Sequence, residues 1–152
     1  MTKPAADPSA LKIRRARQAD AARIAALSGQ LGYPTTVKQM AGRLKSVLRQ
    51  KNGVCFVAEL NEGTLIGWVH VSVTPLLEVE LRSEINGLVV DERSRSRGSG
   101  AQLLDAAEKW AKKMRCTGMS VRSNILRDRA HEFYERHGYK HYKTQKAFLK
   151  PL

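Results

Sequence analysis

The octapeptide RSRSRGSG at residues 93–100 places three arginines and two glycines directly after the apolar run LVV at residues 88–90. The apolar run predicts a buried strand, and the apolar periodicity between Ala101 and Met114 predicts a helix. The first amides of a helix lack intrahelical acceptors and carry a partial positive charge, so a helix N-terminus attracts anions. Glycines let a phosphate approach the backbone, and arginines add positive potential. The octapeptide is therefore interpreted as a phosphate cradle, with an ordinary charged turn as the alternative.

Hydrophobic periodicity and turn residues predict the elements around this cradle. Strands are expected at residues 11–17, 53–60, 64–73, 84–90, 117–123 and 139–150. Helices are expected at residues 20–31, from Thr35 onward, at 101–114 and at 128–137. The order βααβββαβαβ predicts a single α/β domain with a mixed central sheet. The cradle then lies where a buried strand ends and a helix begins.

Two motifs in this order resemble the signatures of the GNAT superfamily of acyl-CoA-dependent N-acyltransferases. RSRGSG at residues 95–100 is similar to the family's (Arg/Gln)-x-x-Gly-x-(Gly/Ala) loop. AHEFYERHGY at residues 130–139 is similar to its A-x-x-F-Y-x-x-x-G-(F/Y) segment. The resemblance covers roughly residues 11–149 and implies a fold in which two central strands splay apart to hold coenzyme A.

The resemblance also implies which residues bind acetyl-CoA, the expected cosubstrate. The main chain of the strand before the cradle would bind the pantetheine arm, through Leu88, Val89 and Val90. The loop amides would hold the pyrophosphate, from Arg95, Ser96, Arg97, Gly98, Ser99, Gly100 and Ala101. Ser99 departs from the pattern, because an apolar residue is common there, and Arg127 stands where the family often has Asn. Asn124 is either a ligand of the coenzyme or a cap at a helix entry.

The resemblance assigns the catalytic roles as well. Transfer to an amine requires loss of an amine proton, donors to the oxyanion and protonation of the leaving thiolate. Tyr134 is expected to be the general acid beside the coenzyme sulfur, unless it is an ordinary core aromatic. Main-chain amides near Leu88 and Val89 are the expected oxyanion donors. Glu84 lies 14 positions before Gly98, where the histone-acetylating branch carries its base, and is the candidate base. The alternative is a surface glutamate, with Glu80 as the nearest substitute.

The acceptor is less well defined by the sequence. In this superfamily the first two helices and their connection line the amine pocket, so Tyr33 is either a substrate contact or a turn aromatic. The net charge of +13 disfavours polycationic acceptors such as aminoglycosides and polyamines. The acids Glu78, Glu80 and Glu84 could still form a locally negative pocket. A small amine or an amino-acid-like compound is the expected acceptor.

Composition sets the remaining expectations. The 152 residues suit one N-acetyltransferase domain at 10–152, after a flexible N-terminus at 1–9. Cys55 and Cys116 are expected to be free thiols in a reducing compartment. No stretch has the roughly 20 apolar residues of a membrane span, so a cytoplasmic protein with no membrane partner is expected. No metal is expected, because Gly138 separates the only suggestive histidine pair, His137 and His141.

The charge of +13 also permits a different class of function. A non-catalytic or regulatory module of the same fold, which binds nucleic acid or senses acetyl-CoA, would account for a basic chain. No helix-turn-helix or RNA-binding signature appears, so nucleic acid is not the expected partner. A homodimer is expected by analogy with the superfamily, with Trp68 and the last strand at a shared sheet edge.

Overall fold

The computed structural model describes residues 10–95 and 98–152. The expected flexible segment 1–9 and the cradle residues Ser96 and Arg97 lie outside the described residues. The chain divides into two compact units, one that ends at Arg122 and one that comprises Ser123–Leu152.

The first unit is built on a five-stranded sheet with the order β1-β2-β3-β4-β5. The strands are β1 (Lys12–Arg15), β2 (Gly53–Leu60), β3 (Thr64–Val73), β4 (Arg82–Val90) and β5 (Gly118–Val121). Neighbouring strands from β1 to β4 run antiparallel, whereas β4 and β5 run parallel. The sheet is therefore mixed, as the sequence predicts.

Three helices pack on this sheet: α1 (Ala21–Gln30), α2 (Val37–Arg49) and α3 (Ser99–Lys113). A capping box starts α2, because the Thr36 hydroxyl accepts from the Gln39 amide and the Gln39 side chain accepts from the Thr36 amide. Trp68 shares a buried cluster with residues of α1 and α2, whereas a Cβ at the adjacent Gly67 would lie 3.1 Å from Leu103 of α3. Successive strand residues face opposite sides, so α1 and α2 cover one face of the sheet and α3 covers the other.

Helical spacing in the sequence places Val37, Met40, Leu44, Val47 and Leu48 on one apolar stripe of α2, but only the middle of this stripe is covered. Leu44 is buried, and Met40 and Val47 pack against the same cluster. Val37 and Leu48, which the helical spacing places on this stripe, are exposed. They lie in the first and last turns of α2, where the covered face ends.

The strand β4 changes its environment halfway along its length. Its residues from Arg82 to Ile85 pair with β5, and the parallel ladder ends at Ile85 and Val121. The antiparallel ladder to β3 continues to Val90 but shifts its register at Asn86, which has no partner residue. This shift is a β-bulge, a feature that bends a strand and often lies beside an active site. Residues 86–90 therefore have a strand on one side only, within the described chain.

The second unit contains one helix, α4 (Asp128–Arg136). The predicted order of elements is found as far as this helix, but the expected last strand at residues 139–150 is not formed, and residues 139–152 have no regular structure. A strand requires a hydrogen-bonding edge beside it, and alternating polarity alone does not supply one. The residues of the second unit are half-buried or exposed, and Tyr134 is among the half-buried ones.

Both cysteines are free, with Cys55 buried in the core and Cys116 half-buried. No helix in the described part of the chain has the length and apolar character needed to cross a membrane.

Candidate active site

The N-terminus of α3 carries the described part of the predicted cradle. Gly98 precedes the helix with φ of 78°, in the left-handed region that favours glycine. The first intrahelical bond runs from the Gln102 amide to the Gly98 carbonyl at 3.0 Å. The amides of Ser99, Gly100 and Ala101 precede that bond, no side chain caps the helix, and its first turn contains no acid. This arrangement suits an anion that accepts from main-chain amides.

Ser99, which departs from the family pattern, lies at the first position of α3 and is only 1% exposed. Its hydroxyl has no hydrogen-bond partner among the described residues. A buried hydroxyl without a partner costs about 1–3 kcal/mol. Its donor capacity is consistent with a site that receives an acceptor group from a ligand.

The connection between β4 and α3 is joined to α1 by an ion pair of Asp91 and by a hydrogen bond of Glu92. The Asp91 carboxylate accepts from the Arg93 amide at 3.1 Å and forms an ion pair with Arg23, and the Gln30 carboxamide accepts from the Glu92 amide at 3.0 Å. The Arg93 amide and the Arg23 guanidinium hold the pKa of Asp91 below its ordinary value. Arg95 folds back on the strand, where its Nε donates to the Val90 carbonyl at 3.3 Å. The entry to the cradle is therefore held in place by side chains of the first unit.

The residues expected to bind the pantetheine arm, Leu88, Val89 and Val90, lie on the half of β4 that has β3 on one side only. On the other side their backbone faces no strand within the described ranges, and the Val90 carbonyl there accepts only from the Arg95 side chain. Such a free edge can bind an extended ligand that carries amide groups, much as an added strand would bind. It continues along the chain to the N-terminus of α3, so the two parts of the expected coenzyme site are adjacent in sequence.

Glu84 lies on the paired half of β4, between Ser72 of β3 and Ser120 of β5. Its carboxylate forms a two-point ion pair with Arg122, with 2.7 Å from Nε to Oε1 and 3.3 Å from the second guanidinium nitrogen to Oε2. The Asn86 carboxamide donates to the Ser72 hydroxyl at 2.8 Å, so these side chains share one face of the sheet.

His70 is a candidate that the sequence analysis did not assign. It precedes Ser72 by two positions on β3, so it faces the same side as Ser72 and Glu84, and it pairs with Gly87 at the bulge. Burial lowers the pKa of His70, so its imidazole is neutral at pH 7. A histidine inside a strand gives no catalytic signal in a single sequence, and only the register brings it to the face of Glu84.

Two glycines around the bulge were also not singled out. A Cβ at Gly87 would lie 2.7 Å from the Trp68 ring, and a Cβ at Gly67 would lie 2.7 Å from the Val89 carbonyl oxygen. Distances this short cannot be accommodated without movement, so both positions require glycine. Trp68 fills the space above Gly87, and its indole N–H is buried without a partner among the described residues.

Tyr33 follows α1 and the left-handed Gly32, and its side chain is 66% exposed. Its backbone is fixed, because its amide donates to the Ser28 carbonyl and its own carbonyl accepts from the Ser28 hydroxyl, both at 3.0 Å. The exposed ring is available to a ligand. It belongs to the first unit, as do the described cradle residues and Glu84.

The second unit contains Asn124 and Tyr134. The Asn124 side-chain oxygen accepts from the Leu126 amide at 2.9 Å and closes a turn before α4. The residue at the helix N-cap is instead Arg127, so Asn124 caps this turn and not the helix itself. Tyr134 makes edge-to-face contacts with Phe133 and Tyr139, at 5.2 and 5.6 Å between ring centroids. Burial raises the pKa of Tyr134 to about 12, so its phenol stays protonated at neutral pH.

Within the described residues, no group of three or more His, Cys, Asp or Glu side chains has an arrangement that could hold a metal ion. The candidate groups of the first unit are main-chain amides, the Glu84 carboxylate and the His70 imidazole, and the second unit carries the Tyr134 phenol.

The order of these features agrees with a match to a family model. The model of the Acetyltransferase (GNAT) family matches residues 20–139, which is most of the chain. The chain belongs to this family. It is 28% identical over 134 residues to YhfO of Bacillus subtilis (strain 168), an uncharacterized N-acetyltransferase, across 85% of this chain and 89% of YhfO.

Two solved structures extend the comparison to the GNAT fold. A transcriptional regulator from Bacillus halodurans C-125 is 25% identical, with a TM-score of 0.79, and the match covers 91% of this chain and 99% of that one. The aminoglycoside N-acetyltransferase AAC(6')-Iy, solved in complex with CoA, is 17% identical, with a TM-score of 0.83 over 93% of this chain and 95% of that one. The chain therefore has the GNAT fold, in agreement with its membership of the acetyltransferase family.

Proposed function

We propose that the chain transfers the acetyl group of acetyl-CoA to the primary amine of a small-molecule or amino-acid-like acceptor, which attacks directly in a ternary complex. The observation that carries this proposal is the free edge of β4 at residues 86–90, which leads to the uncapped N-terminus of α3. Family membership supports the reaction type.

The described residues fit coenzyme A at both ends of this edge. Leu88, Val89 and Val90 would bind the pantetheine amides through their main chain, and the amides of Gly98, Ser99, Gly100 and Ala101 would hold the pyrophosphate. Arg95 and the two residues that follow it would complete the loop, and Asn124 is a further proposed contact. Bound acetyl-CoA supplies the activated acetyl group. The amide of Leu88 or Val89 is the proposed donor to the carbonyl oxygen.

We propose that the proton of the acceptor amine is removed by a group on the face of the sheet that carries Glu84. The Glu84 carboxylate attracts the acceptor's ammonium group, and Arg122 fixes the carboxylate in one orientation. His70 is neutral at pH 7 and lies on the same face, so it is a second group able to take the proton, directly or through a water. The transfer forms an N–C bond and breaks a C–S bond, so one proton must leave the amine and one must reach the sulfur.

Tyr134 is the proposed donor of the proton to the sulfur. Partial burial raises its pKa to about 12, so the phenol holds the proton that a donor must carry at neutral pH. The ring contacts with Phe133 and Tyr139 restrict the orientation of the phenol.

The acceptor class follows from charge and from the exposed Tyr33. AAC(6')-Iy is named for aminoglycoside acceptors. A chain with a net charge of +13 repels such polycations at long range, so an acceptor with fewer positive charges is favoured. Tyr33, which follows α1, would contact this acceptor. A cytoplasmic location is a separate prediction.

A regulatory module is the second candidate. The net charge of +13 favours it, and one structural relative is named a transcriptional regulator. This candidate predicts DNA binding that weakens steeply with salt and is independent of the Tyr134 hydroxyl.

Titration calorimetry with acetyl-CoA tests the proposal, with Gly98→Val as the variant and Gly63→Val as its control. Both glycines have positive φ, 78° and 85°, so valine adds the same kind of strain at each position, but only Gly98 lies at the cradle. Binding that is lost in Gly98→Val and kept in Gly63→Val supports the coenzyme site. Absence of binding by the unaltered chain would overturn the proposal.

A screen of amines by CoA release then tests the reaction, with Tyr134→Phe as the control. The loss of a general acid lowers kcat by about 10²–10⁴-fold. Acetyl-CoA affinity should stay unchanged in this variant. Equal turnover of Tyr134→Phe and the unaltered chain would remove Tyr134 from the mechanism.

A further inference from the structure

The face of the sheet that carries Glu84 contains an ion pair that a ligand can reach. Glu84 lies between Ser72 and Ser120, whose short side chains leave the carboxylate uncovered from either neighbouring strand. The side chain of its partner Arg122 is 80% exposed, and that of Glu84 is 31% exposed. An ion pair in contact with water contributes little to stability, so a ligand can share its members at a small cost.

Arg122 retains hydrogen-bond donors that this pair does not use. Its Nε lies 2.7 Å from Oε1 of Glu84, and its Nη2 donates to Oε2 at 3.3 Å. The other N–H groups of the guanidinium, on its two terminal nitrogens, have no acceptor within the described residues. Such an end of an arginine binds a carboxylate through two parallel hydrogen bonds. The outer end of Arg122 therefore suits a second carboxylate while Glu84 keeps its place.

The charges on this face favour a ligand that brings a negative group with its amine. Glu84 and Arg122 neutralise each other. Arg82 precedes Glu84 by two positions on β4 and so adds a positive charge to the same face. An acceptor whose only charge is an ammonium group would bring further positive charge to this face, whereas an acceptor with a carboxylate beside its amine would not.

Arg122 also lies beside the free edge of β4 at residues 86–90. The parallel ladder between β4 and β5 ends one position before it, at Val121. His70 faces the side of the ion pair and is the partner of Gly87, which belongs to the free edge. A carboxylate bound to Arg122 therefore leaves the amine of the same small molecule close to the strand along which the coenzyme is proposed to bind.

We propose that Arg122 determines the acceptor class by binding a carboxylate, so that the chain acetylates α-amino carboxylates in preference to amines that lack this group. The acceptor carboxylate accepts two hydrogen bonds from the outer end of Arg122, and the acceptor amine lies between Glu84 and His70. This inference rests on the proposed function and adds the group that the site recognises beside the amine.

Matched pairs of acceptors test this inference with the full chain and acetyl-CoA. The panel consists of L-amino acids and their carboxamides, which keep the amine and the side chain but lose the negative charge. For the best amino acid, kcat/KM from CoA release should exceed that of its carboxamide by about tenfold or more, mainly through a lower KM, because the carboxamide loses a charge-assisted pair of hydrogen bonds. The amine of a carboxamide is less basic and more often unprotonated, so amine reactivity cannot produce this preference. Equal values within every pair would overturn the inference.

Substitutions of Arg122 identify the group that produces the preference. Arg122→Gln should abolish it, and Arg122→Lys, which keeps the charge but not the planar donors, should retain part of it. The matched control is Arg15→Gln, because Arg15 is exposed on β1 at the opposite edge of the sheet, and this variant should keep the full preference. If Arg122 served only to orient Glu84, Arg122→Gln would slow both members of a pair equally. An unchanged ratio in Arg122→Gln would therefore overturn the inference.

Direct binding separates this inference from the proposed function. Calorimetric titration of the panel's amino acids into the chain saturated with CoA requires no turnover. The Kd should rise by about tenfold or more in Arg122→Gln and stay unchanged in Arg15→Gln, with circular dichroism to establish that each variant is folded. A Kd that Arg122→Gln does not change, or equal turnover of amino acids and carboxamides, would overturn this inference alone. A chain that binds acetyl-CoA but releases no CoA with any amine would overturn the proposed function.

Discussion

The two halves of β4 have the same strand on one side and different surroundings on the other. The first half, Arg82 to Ile85, lies between β3 and β5 and is hydrogen-bonded to both. The second half, residues 86–90, keeps β3 but extends beyond the end of β5 at Val121. The first half therefore anchors the parallel pair, and the second half presents backbone groups that a ligand can use.

The bulge at Asn86 separates these halves. An extra residue in one strand of an antiparallel pair bends that strand and increases its twist. The bulge is accompanied by Gly87, where the Trp68 ring occupies the space of a side chain. One strand can therefore hold the sheet together and also offer a binding edge, because its neighbour β5 is short and its register with β3 shifts between the two halves.

The first prediction tests whether the paired half contributes chemistry as well as support. Glu84→Gln should lower kcat by about 10²-fold, because it removes a carboxylate from the acceptor face, with no change in acetyl-CoA affinity. Arg122→Gln removes only the ion-pair partner and should have a smaller effect. Steady-state kinetics with the best amine from the screen measure both. Equal kcat values for Glu84→Gln and the unaltered chain would mean that the paired half of β4 has only a structural role.

The pH dependence of kcat/KM distinguishes Glu84 from His70 as the base. If His70 takes the proton, the acidic limb of kcat/KM lies below pH 6.5, since burial lowers the pKa of its imidazole from that value. Activity that requires the neutral form is lost as the pH falls through the pKa of the folded protein. His70→Gln should remove this limb. If the limb persists in His70→Gln and disappears in Glu84→Gln, Glu84 is the base.

The second prediction concerns the junction. Gly87→Ala should lower the free energy of unfolding by about 1–3 kcal/mol, because its Cβ would overlap the Trp68 ring. Gly118→Ala is the control on β5, since nothing lies within 4 Å of a Cβ there. Chemical denaturation measures both. Equal stability of Gly87→Ala and Gly118→Ala would mean that Trp68 moves aside easily and that the junction is soft.

Much of the scaffold could be predicted from the sequence, because its signals are local. The helix expected from Thr35 onward begins at Val37, and the apolar runs at residues 53–60 and 64–73 form the antiparallel pair of β2 and β3. Non-local features could not be predicted. The bulge at Asn86 and the position of His70 depend on register between strands. The expected last strand at residues 139–150 does not form, and its alternating pattern indicates strand propensity without specifying a pairing partner.

The candidate site divides in the same way. The cradle at Gly98 and the motif around Tyr134 were found because their residue types repeat a family pattern at fixed spacing. The ion pair between Glu84 and Arg122, 38 positions apart, leaves no trace in a single sequence. The exposed ends of α2 were missed because helical spacing does not indicate how far the covering sheet extends.

The smallest predicted effect concerns the connection that follows the free half. Asp91→Asn should lower the free energy of unfolding at pH 7 by up to about 1 kcal/mol, because asparagine can still accept from the Arg93 amide but lacks the charge that pairs with Arg23. The pKa of Asp91 is lowered from 3.8 in the folded protein, so its stabilisation is present above that value and is lost as the pH falls. The unaltered protein and Asp91→Asn should therefore approach equal free energies of unfolding in acid. A constant difference across pH would place the effect elsewhere than in this charge.

Amide hydrogen exchange with and without acetyl-CoA tests the difference between the halves of β4 most directly. Peptides that cover residues 86–90 and 98–101 should exchange more slowly on binding, by up to about 100-fold at a ligand concentration 100 times Kd. Peptides confined to residues 82–85 are already paired on both sides, so they should slow no more than peptides of β2, which report only the global stabilisation by the ligand. Slower exchange only at residues 82–85, or no change along β4 while acetyl-CoA is bound, would contradict the proposal that the coenzyme binds along residues 86–90.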